Sequence, residues 1–129
     1  MKKILLYFWQ LPQNILGLLV ILFTRAVHYD STDCWETPYY SFGVSLGNYI
    51  IFGTRYYRVT EISWKHERGH QKQSLYLGWL YLLIIGIPSL CGNLYDRFFH
   101  KNWSMRDSYD WYYNQPVEKW ADYLGGVER

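Results

Sequence analysis

The residues of this chain best suited to chemistry lie between Thr60 and Ser74, in the run T-E-I-S-W-K-H-E-R-G-H-Q-K-Q-S. Inside it stands H-E-x-x-H, written by His66, Glu67, Arg68, Gly69 and His70. On an α-helix, residues four apart share a face and lie one turn above each other. His66 and His70 can therefore offer two imidazoles to one Zn2+ ion, with Glu67 beside the metal. Zinc brings the pKa of a bound water towards neutrality, and a neighbouring carboxylate can take its proton as general base. That is the chemistry of zinc-dependent peptide hydrolysis. The competing reading is a pair of surface histidines on a basic helix, and Gly69 weakens the helix because glycine is a poor helix former.

Zinc hydrolases use three protein ligands and leave the fourth position to water. A third candidate stands near the C-terminus, in V-E-K-W-A-D-Y-L-G-G-V. The segment predicts a helix begun after Pro116 and ended by Gly125 and Gly126. Glu118 and Asp122 would again share one helical face. The first could bind zinc, and the second could accept a hydrogen bond from a ligand histidine and fix its tautomer. The alternative is a solvated helix whose Glu and Asp are surface charges. Two separate constellations of the required residue types favour zinc.

H-E-R-G-H followed by E-x-x-A-D resembles the gluzincin metallopeptidases. The form E-x-x-A-D looks most like the membrane-embedded CAAX prenyl proteases and their bacterial heat-shock relatives. The run H-E-R-G-H-Q-K-Q-S with L-G-W-L-Y-L is also similar to small bacterial H-E-x-x-H proteins. The resemblance rests on the two motifs alone. It implies a zincin-like domain in which His66, His70 and Glu118 are zinc ligands, Glu67 the base and Asp122 the orienting carboxylate. A peptide or protein would be the substrate. Those peptidases are much longer, and this chain departs from them in having no room for their substrate-binding lobe.

A length of 129 residues predicts one domain over residues 1–129, an α+β fold that is mostly helical with one β-hairpin before the zinc helix. Gly43 to Phe52 and Tyr56 to Val59 are rich in strand formers and flank Gly53-Thr54-Arg55, which predicts the hairpin. Val44 to Phe52 is the stretch where an extended peptide could add as a strand, a purely structural hairpin being the alternative. Ala26 to Phe42 reads as a loop. Asp96 to Gln115 reads as a loop or short helices that deliver Glu118. Within it Tyr112, Tyr113 and Arg106 are candidate oxyanion donors, and His100 is a histidine without an evident partner.

Two runs carry no charge, Ile4 to Thr24 and Gln73 to Tyr95. Crossing a bilayer takes ~20 apolar residues. The first run, expected as one apolar helix over residues 1–25, is interrupted by Gln10, Pro12, Gln13 and Asn14. It reads as a membrane anchor with Lys2 and Lys3 on the cytoplasmic side, as an interfacial helix, or as a helix of a soluble core. A signal peptide fits less well, because Arg25 sits within the cleavage position. In the second run Leu75 to Leu90 is broken by Gly78, Gly86 and Pro88, and reads equally as a core helix or an intramembrane hairpin. The expected location is the cytoplasmic membrane of a bacterium, with a soluble cytoplasmic protein as the alternative.

A net charge of +2 gives no reason to expect a nucleic-acid partner. Lys65, Arg68, Lys72 and Arg58 read as a solvated patch. Cys34 and Cys91 do not make a disulfide framework, and Cys91 is expected as a small buried hydrophobe. Against the peptidase stand two other functions: a non-catalytic zinc-binding module and a metal-free, membrane-associated packing module.

Overall fold

A computed structural model describes residues 1–29, 33–40, 42–55 and 59–129. In chain order it contains α1 (Lys2–Trp9), α2 (Leu11–Thr24), β1 (Val27–His28), β2 (Cys34–Thr37), β3 (Gly43–Leu46) and β4 (Tyr49–Gly53). Then follow α3 (Glu61–Leu77), a 3₁₀ turn (Gly78–Leu80), a π-helical turn (Leu82–Gly86), α4 (Ile87–Phe99), α5 (Met105–Tyr113) and α6 (Pro116–Gly125). The fold is mostly helical α+β, as the sequence predicts, and its strands form one small four-stranded mixed sheet in place of a lone hairpin.

Local chemistry sets the two helices that matter most. Thr60 caps α3 by accepting the Ser63 N–H, and Glu61 in the first turn complements the helix dipole. Pro116 opens α6, where its missing N–H costs nothing, and Gly126 closes it in the left-handed conformation. The two helices lie unusually close. A Cβ placed on Gly69 would stand 1.8 Å from the Ala121 carbonyl oxygen, and one on Gly125 would stand 2.0 Å from that of Lys65. Gly69, a weakness when the helix is considered alone, is what allows the backbones of α3 and α6 to touch.

The sheet order is β1-β2-β4-β3, with β2 and β4 parallel and the outer pairs antiparallel. Ile50, Ile51 and Phe52 on the interior strand β4 are fully buried. Ile50 and Phe52 form a small apolar core with Cys34, against which Val59 and Trp64 pack. β3 and β4 are the hairpin, turning at Gly47 and Asn48, with Val44 opposite Ile51. The predicted hairpin therefore shifts: both strands lie within the stretch expected to be one, and residues 56–58 of the expected second strand fall outside the described residues. The reason is the Gly-Asn pair, which is the stronger turn signal.

Other expectations are corrected too. The apolar helix expected over residues 1–25 is two helices bent by 82° at Gln10, with Pro12 in the first turn of α2. The predicted loop over Ala26 to Phe42 contains β1 and β2, which gain their ladder only by pairing with each other and with β4. Cys91 is exposed on α4 rather than buried. The run Leu75 to Leu90 is not a core helix: Tyr81 and Ile85 are buried, but Tyr76, Trp79, Leu80, Leu83, Ile84, Ile87 and Leu90 are exposed. No single helix among the described residues is long and apolar enough to cross a membrane. Of the basic patch, Lys65 pairs with Glu61 at 3.1 Å and Arg68 with Asp33 at 3.0 Å, while Arg58 falls outside the described residues.

Candidate metal centre

α3 and α6 bring the predicted residues together. His66 and His70 on α3 and Glu118 on α6 are all buried, Glu118 completely. The His66 and His70 Nε2 atoms lie 3.1 Å apart, and each is 3.1 Å from Glu118 Oε2. Ligand atoms ~2.0–2.1 Å from a tetrahedral metal stand about 3.3–3.4 Å from one another, so this triangle is a few tenths of an ångström tighter than such an ion would set.

The protonation pattern makes the case stronger than the spacing does. His66 Nδ1 lies 2.7 Å from Asp122 Oδ1, and His70 Nδ1 lies 2.7 Å from Gln73 Oε1. The Gln73 amide is oriented by its Nε2, which donates to the Val117 carbonyl at 2.9 Å. Both partners of the imidazoles are therefore acceptors, and each Nδ1 must carry the proton. Each neutral ring then turns its Nε2 lone pair to the centre, towards the other lone pair and a carboxylate oxygen. Three converging acceptors repel one another unless a cation stands between them. Glu118 Oε1 is buried without a well-formed hydrogen bond among the described residues, with the Ser89 and Tyr112 hydroxyls beside the carboxylate. This cluster can hold a metal ion.

Without a metal the only available cation is a proton, and the charges respond accordingly. Burial alone would lower the His66 pKa, but its bonds to Asp122 and Glu118 outweigh that and raise it to about 9. Burial would raise the Glu118 carboxyl, yet His66 and His70 hold it far below the usual carboxylate range. Asp122 is likewise pulled down against burial, by His66 and then by Arg129.

Glu67 is different. It is buried beside the cluster, its Oε2 has no hydrogen-bond partner among the described residues, and burial pushes its carboxyl up despite both histidines. Gly43 of β3 lies against it, since a Cβ there would be 2.7 Å from Glu67 Oε1. Beyond a motif reading, then, the fold sets Glu67 between the histidines and the outer strand of the sheet.

Four contributors were not singled out from sequence. Gln73, three residues after His70, could have been found by the same helical spacing. Arg129 reaches back from beyond α6 to bond Asp122 through Nε at 2.6 Å and Nη2 at 3.0 Å. It also lies over the Tyr113 ring at 3.6 Å and bonds the Tyr109 hydroxyl. Gly43 and Arg129 come close only through tertiary folding and left no local signal. Tyr81, also buried, donates its hydroxyl to the Ser45 carbonyl at 2.9 Å.

The remaining candidates separate clearly. Tyr113 sets its ring edge-on to His66 at 5.0 Å. The Tyr112 hydroxyl pairs with Ser89 Oγ at 3.1 Å, and both hydroxyls lie beside the Glu118 carboxylate. Arg106 is exposed on α5, and the guanidinium that reaches the site is that of Arg129. His100 stands outside the cluster, bonded to Asp96 at 2.7 Å and stacked on Trp103. The chain matches no protein-family model, no curated protein and no solved structure.

Proposed function

We propose that the protein is a zinc-dependent metallopeptidase, in which His66, His70 and Glu118 hold the ion and Glu67 is the general base. The observation that supports this best is the triangle of three acceptor atoms with a buried, unpartnered carboxylate next to it. Two imidazoles and one carboxylate suit zinc and leave a coordination position open. Bound there, zinc would polarise the scissile carbonyl and acidify water.

The chain's own residues supply the rest. Glu67, with its carboxyl raised by burial, takes a proton from the attacking water. It returns that proton to the departing amine nitrogen as the C–N bond breaks. Asp122 and Gln73 hold the two imidazoles in the Nδ1–H tautomer, which would leave both Nε2 lone pairs free to bind the ion. Arg129 holds Asp122 in turn.

β3 is the strand on which a peptide would dock, in place of the longer stretch expected from sequence. Gly53 N–H donates to Phe42 O, so the register of the pair points the backbone groups of Gly43 and Ser45 away from β4. Ser45 is buried, with its carbonyl accepting from Tyr81, so the accessible part of that edge runs over Phe42, Gly43 and Val44. An extended peptide paired to that edge would pass Gly43, and hence the Glu67 carboxylate.

The test measures zinc by elemental analysis and cleavage of a fluorogenic peptide mixture, on wild type, Glu118→Ala and Glu67→Gln. Wild type should carry about one zinc per chain, and Glu118→Ala should lose it. Glu67→Gln should keep zinc and lose ~10²–10⁴-fold in turnover. A metal-replete wild type without zinc, or a Glu67→Gln variant with unchanged cleavage, would sink the reading.

A further inference from the structure

The helix α2 is built inside out. In a protein surrounded by water, an amphipathic helix turns its apolar stripe to the core. Here Gln13, Asn14 and Gly17 are the buried residues of α2, with Gln10 buried just before it. Ile15, Leu16, Leu18, Leu19, Leu22 and Phe23 are exposed. At ~100° per residue those six occupy an outward arc of roughly 160°. The inward side chains are structural. Gln13 Nε2 donates to Ser74 Oγ at 2.8 Å and to the Gly78 carbonyl at 2.9 Å. Asn14 Oδ1 accepts the Asn48 N–H at 2.7 Å.

The outward apolar surface continues onto neighbouring elements. Trp9 of α1 donates to the Leu75 carbonyl and Trp79 to that of Phe8, which joins α1 to the turn after α3 with both indole N–H groups satisfied. From there Leu80, Leu83, Ile84, Ile87, Leu90 and Leu94 remain exposed. Charges stand only at the ends of this surface. Lys2 and Lys3 begin α1, Arg25 ends α2, and Arg97 with Lys101 ends α4, all exposed.

We infer that this surface is seated in the acyl-chain region of one leaflet of an anionic lipid bilayer, with those five cations on the headgroups. Polar groups bonded inside, hydrocarbon outside and cations at the rim are what lipid selects. The depth follows from length. α2 has 14 residues, about 21 Å against a hydrocarbon core of ~30 Å. α1 and α2 are bent by 82°, and α3 and α4 by 120°. α1 and α2 therefore enter as an elbow and return, and α4 with the turns before it lies beside them, while the charged α3 stays outside the lipid. A second copy of the chain would cover one face, whereas this surface wraps three helices and the turns between them.

The experiment uses the full chain reconstituted into vesicles of phosphatidylcholine and phosphatidylglycerol. Cys91, exposed on α4 while Cys34 is buried, carries a polarity-sensitive maleimide dye. Wild type should float with the vesicles through high salt and carbonate. The dye emission should shift to the blue and be quenched by nitroxides on the acyl chains. Leu19→Lys with Leu22→Lys, both on the exposed arc, should reduce vesicle-bound protein at least tenfold while keeping the native circular dichroism. Three results would each overturn the inference: a monodisperse chain without lipid or detergent, a dimer that shields Cys91, or vesicle binding stripped by salt with the dye in water. None of these readouts depends on metal, so their failure leaves the peptidase reading untouched.

Discussion

The helices α3 and α2 both turn polar side chains inward, and the comparison shows what separates a site from a scaffold. On and just before α2, each donor meets an acceptor: the Gln13 amide donates to the Ser74 hydroxyl, the Ser74 hydroxyl to the Gln10 amide oxygen, and the Asn48 N–H to the Asn14 amide oxygen. Such a network rigidifies the helix, and within it only Gln13 Oε1 is buried without a partner among the described residues. On α3, His66 and His70 turn acceptors towards a shared centre with Glu118, and Oε2 of the neighbouring Glu67 and Oε1 of Glu118 stay unpartnered among the described residues. Burial of polar groups is common to the two helices. Unmatched acceptors, gathered at metal-ligand spacing, belong to α3 alone of the two.

The sharpest way to break this comparison is through the glycines. A Cβ on Gly69 would collide with the Ala121 backbone, which cannot move without separating α3 from α6. On α2, a Cβ on Gly17 would meet mainly side chains, at 2.9 Å from Tyr49 Cδ2 and 3.2 Å from Leu46 Cβ. Gly69→Ala should therefore destabilise by ~3 kcal/mol or more and abolish metal binding. Gly17→Ala recovers ~0.5–1 kcal/mol of helix propensity against its milder contact and should stay within about 1 kcal/mol of wild type. Chemical denaturation measures both. Equal losses would mean that the close approach of α3 and α6 does not define the site.

Helix spacing made the cluster legible, because an i, i+4 pair specifies a face whatever the face meets. Thr60, Pro116 and Gly126 likewise announced α3 and α6 through strictly local chemistry. What local chemistry does not carry is partnership. β1 and β2 are strands only because Cys34 pairs with Ile50 and Val27 with Glu36. The elbow at Gln10 needed Asn48 and Ser74 as partners for Gln10 itself. Arg129 is sequence-distant from His66 and reaches it through Asp122 and across the Tyr113 ring. The uncharged runs were visible as uncharged, yet which way their side chains point became clear only when Gln13 and Asn14 faced inward.

A smaller effect should separate the two buried glutamines. Gln73 accepts from the His70 ring N–H, so Gln73→Ala frees that ring to rotate or to change tautomer. The expected loss is 10–100-fold in zinc affinity, measured by competition with a chromophoric chelator. Gln13→Ala leaves Ser74 and the Gly78 carbonyl short of a donor, and should cost ~1–3 kcal/mol of stability with zinc affinity unchanged. Loss of zinc affinity in the Gln13 variant would erase the distinction between scaffold and site.

The gentlest probe is pH, because the amides of α2 do not titrate and the centre on α3 does. In metal-free protein His66 holds its proton up to about 9, against an ordinary 6.5, because Asp122 and Glu118 favour its charged form. A folded-state pKa above the unfolded one gives stability that is fully present below about 6.5 and is lost as pH rises through about 9. Metal-free protein should thus become easier to unfold across that window. Zinc binding should run the opposite way, because the ion must displace the His66 proton. Its affinity should rise about tenfold per pH unit up to roughly 9 and then level off. Asp122 and Glu118 have lowered pKa values, so their own contributions are lost only in acid and do not mask the slope. Denaturation of chelator-treated protein and zinc titration, each at several pH values, measure the two slopes. A metal-free stability that is flat or rising over this range would show that His66 does not carry the proton, and that its partners do not converge as drawn.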